Sequence, residues 1–284
     1  MQRASAAMLP DGRRMHLHHG PIDLIVETVG GDQQAAYRRA AERFESLLDE
    51  LVSELTELRC QADADRRFRG AVAARMQNAV APFTREFITP MAAVAGAVAD
   101  EILGALLDGG EFSKAYVNNG GDTAFHLTKG ETIRAVVAND HPAGIAVDAR
   151  QPWRGVATSG WRGRSHSLGI ADSVSVVAAD AARADAAATM IANQVDLPGN
   201  TKIKRQPACA LSPDSDLGDL LVTTGVAPLD ETEAIEALDN GLRYADILVS
   251  EGLVGGAILI LDRQVRMTQA SHALFHTEGE MTHA

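Results

Sequence analysis

The 284 residues are 46% apolar and 23% charged, the composition of a globular chain long enough to bury a large core without disulfide or metal staples. Lys and Arg number 26 against 38 Asp and Glu, a net charge of −12, and aromatics are 4%. This balance excludes nonspecific binding to nucleic acid or anionic membrane, which needs a basic surface, and the few aromatics speak against a base-stacking platform. The deficit is uneven: residues 205–284 carry four arginines against thirteen carboxylates (−9), leaving −3 over residues 1–204. A small phosphate-bearing ligand is therefore not excluded from the first part.

In chain order, Met1–Pro10 lacks the apolar core of a signal peptide, and no uninterrupted apolar run reaches the ~18 residues of a membrane span, so a cytoplasmic chain is expected. His16, His18 and His19 read as a solvated segment near the terminus. Pro21–Thr28 alternates as a strand, with Ile22, Leu24 and Val26 on one face. Phe44, Leu47, Leu51, Leu55 and Leu58 form the stripe of an amphipathic helix over Gln34–Leu58. Helices are also predicted over Arg67–Val80 and Pro90–Leu107, the first ended by Pro82 and the second opened by Pro90. After Gly109-Gly110, short runs at Lys114–Val117, Thr123–Thr128, Ile133–Ala138 and Gly144–Val147 suit hairpins. Ser173–Ala178 reads as a strand followed by an Ala-rich helix over Ala181–Asn193, and Leu220–Thr224 as a strand leading into helix Glu231–Ser250. Asp230 and Glu233 are spaced as that helix's capping box, with Gly252 as its C-cap. Gly256–Leu261 is a buried strand that Val265–Met267 can pair with. Helices mixed with antiparallel strands make the expected class α+β. One domain over residues 1–284 is expected, with a subdomain boundary available in the polar stretch 200–213 and a mobile tail over 270–284.

Four sets of residues can carry chemistry. Asn119-Gly120-Gly121-Asp122 between two strands suits either a phosphate cradle of backbone N–H groups or a hairpin turn needing positive φ. Thr158-Ser159-Gly160 with Arg162, Arg164 and His166 offers hydroxyls and cations to a phosphate, His166 and Asp172 being the acid–base candidates; an ordinary polar loop accounts for it equally well. Asp185 and Thr189, four apart on a helix, present two oxygens to one hard cation, or else serve the helix dipole and a backbone bond. Cys209, near Lys202, Lys204 and Arg205, and Cys60, beside Arg59, are candidates for sulfur carriage or inert small hydrophobes.

In combination these segments resemble the ApbE superfamily of flavin-transferase-like proteins, and more closely an uncharacterised ApbE-like branch of it. Thr89–Asp100 is similar to the helix that precedes the family's glycine turn. Asn118-Asn119-Gly120-Gly121-Asp122 is similar to its N-x-G-G-D signature, and Ser173–Ala178 with Ala184-Asp185 and Thr189 to its closing A-D-x-x-A-T pattern. The family's magnesium-assisted site splits FAD and attaches FMN to a threonine of an acceptor protein. The resemblance thus implies an α+β fold of mixed and antiparallel sheets, Asp185 and Thr189 as Mg2+ ligands, and Asn119–Asp122 beside FAD or FMN. It implies a small-molecule ligand and a protein acceptor as partners; a homo-oligomer is a further candidate partner, which the residues leave open. The chain departs from the transferase pattern twice. Ala95-Gly96 lacks the lysine of A-K-G, and Arg164–Asp172 lacks D-P-x-T-G, with His166 and Asp172 as partial stand-ins. Two further functions fit the resemblance: persulfide handling on Cys60 and Cys209 in sulfide assimilation toward homocysteine, and non-catalytic ligand binding.

Overall fold

The computed structural model describes residues 3–137, 143–163 and 165–277. In chain order its strands and helices are β1 (Ser5–Met8), β2 (Met15–His19), β3 (Ile22–Val29), α1 (Gln33–Ser53), α2 (Leu55–Leu58), α3 (Ala71–Val80), α4 (Val94–Leu107), β4 (Lys114–Asn119) and β5 (Asp122–Leu127). Next come β6 (Thr132–Val137), β7 (Ala143–Asp148), β8 (Gly155–Ser159), β9 (Ser173–Ala178), α5 (Ala181–Gln194), β10 (Ile203–Pro207) and α6 (Ala208–Leu211). β11 (Leu221–Val226), α7 (Glu231–Ser250), β12 (Val254–Leu261), β13 (Gln264–Met267) and β14 (Phe275–Thr277) complete the order. This mixture of helices and antiparallel strands is the α+β class expected.

The chain divides into two compact units, the first built from residues 1–133, 147–157 and 179–185, the second from 134–146, 158–178 and 186–284. The stretch 200–213 lies wholly inside the second.

In the first unit the strands run β1-β2-β3-β4-β5-β8, each paired antiparallel with the next. Leu17, Leu24, Val26, Ala115 and Val117 on its inner face are completely buried. Helix α4 packs on this sheet and against α1. Pro90–Leu107 is apolar and long enough to meet the composition of a membrane span, with a mean hydropathy of 1.5. Here it is a core helix: Ala97, Val98, Ala99, Ile102 and Leu106 are fully buried. The helix predicted over Gln34–Leu58 is interrupted at Glu54, whose backbone leaves helical geometry. The reason is tertiary. The Glu54 carboxylate turns to accept the N–H groups of Arg69 (2.9 Å) and Gly70 (2.8 Å), where α3 begins.

Residues 16–19, expected to be solvated, are instead part of β2, where Met15 and Leu17 are buried and His19 is 5% exposed. Alternation of period two was present there; the histidines masked it.

In the second unit β9-β12-β13 form an antiparallel set, with α7 packed on β12 and β13. Every residue of β9 and β12 is buried, Ser173 and Ser175 of β9 included. Asp230 and Glu233 form the expected capping box on α7, and Gly252 has φ +71°. β10 and β11 make a separate ribbon across what the sequence presents as a polar linker. Beyond Gln269, where mobility was expected, a 3-10 turn leads into β14, which pairs with β7; residues 278–284 lie outside the described residues.

Candidate functional site

Two helices cap each other in the first unit. Asp100 of α4 accepts the N–H groups of Ala181 (3.1 Å) and Ala182 (2.9 Å), the first residues of α5. In return Asp185 of α5 accepts the N–H of Gly96 at 3.1 Å in the first turn of α4. Each carboxylate thus serves donors that a helix start leaves without intrahelical partners, at the positive end of the other helix dipole. The approach is close because two positions lack side chains. A Cβ at Gly96 would lie 2.2 Å from the Ala181 carbonyl oxygen, and one at Gly155 would lie 2.0 Å from the Asp180 carbonyl carbon.

The electrostatics set these carboxylates apart from surface acids. Burial pushes the Asp185 carboxyl well above the usual range, and the neighbouring charge of Asp122 adds to the rise, against the lowering effect of the Gly96 and Ala95 N–H groups. Burial also pushes Asp100 up, to about 6, with Asp180 contributing. Asp122 is itself only 8% exposed. Among the described residues no three His, Cys, Asp or Glu side chains converge as a metal cage. Mg2+ needs no such cage: it commonly takes one or two carboxylates and completes its shell with water and substrate phosphate. Asp185 offers a hard oxygen donor of that kind, whereas Thr189, half-buried on α5, belongs to the second unit.

The glycine motif is a two-residue hairpin. Asn119 pairs with Asp122, leaving Gly120 (φ +65°) and Gly121 (φ +122°) as the connection, and both signs of φ favour glycine. Asn119 is the last residue of β4, not part of the turn. Its Nδ2 donates to the Ala95 carbonyl at 3.0 Å, so the side chain ties the hairpin to the start of α4. The space beyond Gly121 is open. Asn119, Gly120, Gly121, Asp122 and Asp185 therefore gather around the first turn of α4. Sequence reasoning missed two members of the group: the Gly96 N–H and Asp100. An acid four residues after a glycine on an otherwise apolar helix was the available signal.

The remaining candidates belong to the second unit. Thr158 Oγ1 and the buried Ser175 Oγ are hydrogen-bonded at 2.7 Å, so Thr158 continues a strand rather than a loop. Ser159 ends that strand half-exposed. Gly160 is buried where a Cβ would lie 2.3 Å from the Asp172 carbonyl oxygen. Arg162 lies over the Trp161 ring at 4.7 Å and donates from Nε to Asp172 Oδ1 at 2.6 Å. The other oxygen of Asp172 accepts the Asp262 N–H at 2.6 Å. Arg162 and Asp172 are thus engaged with each other, while His166 is half-exposed. Arg164 lies outside the described residues.

The cysteine environment differs from expectation. Lys202 is paired with Glu233 and Arg205 with Asp196, so these cations are not turned to Cys209. Cys209 instead donates from Sγ to Asp219 at 3.2 Å, which pushes the thiol pKa up rather than down. Cys60 is exposed, with its Sγ donating to the Thr56 carbonyl.

A family model described as AbpE bacteria matches residues 6–267. The chain belongs to this family. The UPF0280 protein of Methanopyrus kandleri is 32% identical over 175 residues, spanning 60% of this chain and 69% of that protein. The UPF0280 protein of Methanococcoides burtonii is 36% identical over 138 residues, spanning 47% of this chain and 54% of that one. A single-site mutant of the flavin transferase ApbE from Vibrio cholerae is similar in structure, with a TM-score of 0.52 at 11% identity over 92% of this chain and 99% of that one. That likeness shows a shared fold. At Gly96 the Ala181 carbonyl occupies the space that any side chain would need.

Proposed function

We propose that this chain binds a flavin nucleotide through a divalent cation held at Asp185, with Asp122 as the neighbouring oxygen donor, in a flavin-transferase type of reaction. The observation that carries the reading is that Asp185 accepts the Gly96 N–H at 3.1 Å at the same turn of α4 whose Ala95 carbonyl anchors the Asn119–Asp122 hairpin at 3.0 Å, with the Asp122 charge raising the Asp185 pKa. Two acids whose charges oppose each other in a half-dry site are relieved by a cation. When bound, a divalent cation neutralises charge developing on phosphate oxygens during pyrophosphate cleavage. The chain's own groups have separate tasks. The Gly96 N–H orients Asp185, Asn119 holds the hairpin against α4, and the open backbone at Gly121 leaves room for a phosphate. The family and the shared fold support a flavin nucleotide over other phosphate esters. Persulfide carriage is less supported, because Asp219 disfavours the Cys209 thiolate that such chemistry needs.

The test is thermal shift and retained colour. With Mg2+ present, FAD at about a hundred times its Kd raises stability by about 2.7 kcal/mol, and flavin absorbance travels with the protein through gel filtration. Asp185→Asn abolishes both effects while the apo melting temperature is kept or raised, since a raised pKa marks a charge the fold disfavours. Flavin binding that is equally strong with chelator, or in Asp185→Asn, overturns the cation assignment; no flavin binding at all overturns the whole reading.

A further inference from the structure

Among the described residues, the outer edge of the first unit's sheet is uncovered. β1 is the terminal strand, and all four of its residues, Ser5, Ala6, Ala7 and Met8, are exposed. The register shows which backbone groups are unused by β2. His19 and Ile22 flank the two-residue turn Gly20-Pro21, so His19, and with it Leu17 and Met15, exchange hydrogen bonds with β3. His16 and His18 therefore point their backbone groups to β1, at Ala7 and Ser5. The N–H of Leu9 donating to the Arg14 carbonyl at 2.8 Å continues the same alternation. This leaves the N–H and C=O of Ala6 and Met8 directed away from the sheet.

Soluble proteins blunt such an edge with a charged side chain, a proline or a bulge, and β1 has none of these. Its side chains are neutral and small apart from Met8, which is 49% exposed. We propose that β1 pairs antiparallel with β1 of a second copy of this chain, joining the two sheets about a two-fold axis. A strand edge is self-complementary in this arrangement: the outward donors of each copy face the outward acceptors of the other, and one patch serves both partners. Although each chain carries −12, no charges oppose each other along Ser5–Met8. Antiparallel pairing of Ala6 with Met8 of the second copy also sets Arg3 opposite that copy's Asp11, a carboxylate paired with Arg14 in its own chain.

The backbone alternation supplies a selective variant. Ala6→Pro deletes an outward N–H and leaves the β1–β2 hydrogen bonds intact, as proline allows on an edge strand. Met8→Lys adds a charge to the same edge. Sedimentation equilibrium at micromolar concentration is expected to give twice the 30.1 kDa chain mass for the unmodified protein. Ala6→Pro and Met8→Lys are each expected to weaken the dimer by about tenfold or more with the far-UV spectrum unchanged. A monomeric unmodified chain overturns the proposal. So does a dimer that both variants leave intact, since it must then use another surface.

Discussion

Asp100 is the residue at which burial and capping compete. Its carboxylate serves two N–H groups of α5, yet burial and Asp180 hold its pKa near 6 instead of the ordinary 3.8. A folded-state pKa above the unfolded value means that the protonated form favours folding. That contribution is complete below the unfolded pKa and is lost as pH rises through about 6. Denaturant melts of Asp100→Asn, compared with the unmodified chain without divalent cation, are expected to shift in the variant's favour by about 2 kcal/mol between about pH 4 and about pH 7. A pH-independent difference contradicts this assignment. Cys209 shows the same dependence on surroundings. Its sequence neighbours are cations, but its contact in space is Asp219. A charge adjacent along the chain acts on a thiol only if the backbone turns it that way.

At the scale of elements, α4 carries two glycines with opposite consequences. Gly96 faces the start of α5, where a Cβ would lie 2.2 Å from a backbone oxygen, whereas Gly104 faces open space. Gly96→Ala is expected to destabilise by roughly 1–3 kcal/mol through forced separation of α4 and α5. Gly104→Ala, in the same helix, is expected to stabilise by about 0.5–1 kcal/mol by reducing the freedom of the unfolded chain. Chemical denaturation of the two variants checks the contrast; equal effects rule out close packing as its cause. The elements legible in the sequence are those with strong local patterning, such as α7 with its capping box, β9 with its β-branched valines and the apolar run of β12. β8 and β10 were not legible, because their hydroxyls and charges carry no periodic apolar signal and they are strands only through their neighbours. The break of α1 at Glu54 was hidden for a related reason: the donors it serves are fifteen and sixteen residues away.

For the whole molecule, acidity remains the broadest constraint. Two cations at the C-terminal ribbon are committed to carboxylates, Lys202 to Glu233 and Arg205 to Asp196, and residues 205–284 hold only four arginines against thirteen carboxylates. At physiological salt the chain is expected to leave duplex DNA unretarded in a gel-shift assay, since counterion release needs clustered Lys or Arg; a shift at micromolar protein contradicts this. The ordered motifs were enough to indicate the family and the α+β class, because glycine turns, capping residues and apolar runs are short-range features written directly in residue type. Tertiary structure alone decided the chemistry around those motifs. Asp185 and Gly96 are 89 positions apart, and only folding makes one the hydrogen-bond partner of the other. Only folding brings the Asp122 charge to bear on Asp185. The desolvation and charge repulsion that make these acids a candidate cation site depend on distance in space, which spacing along the chain does not encode.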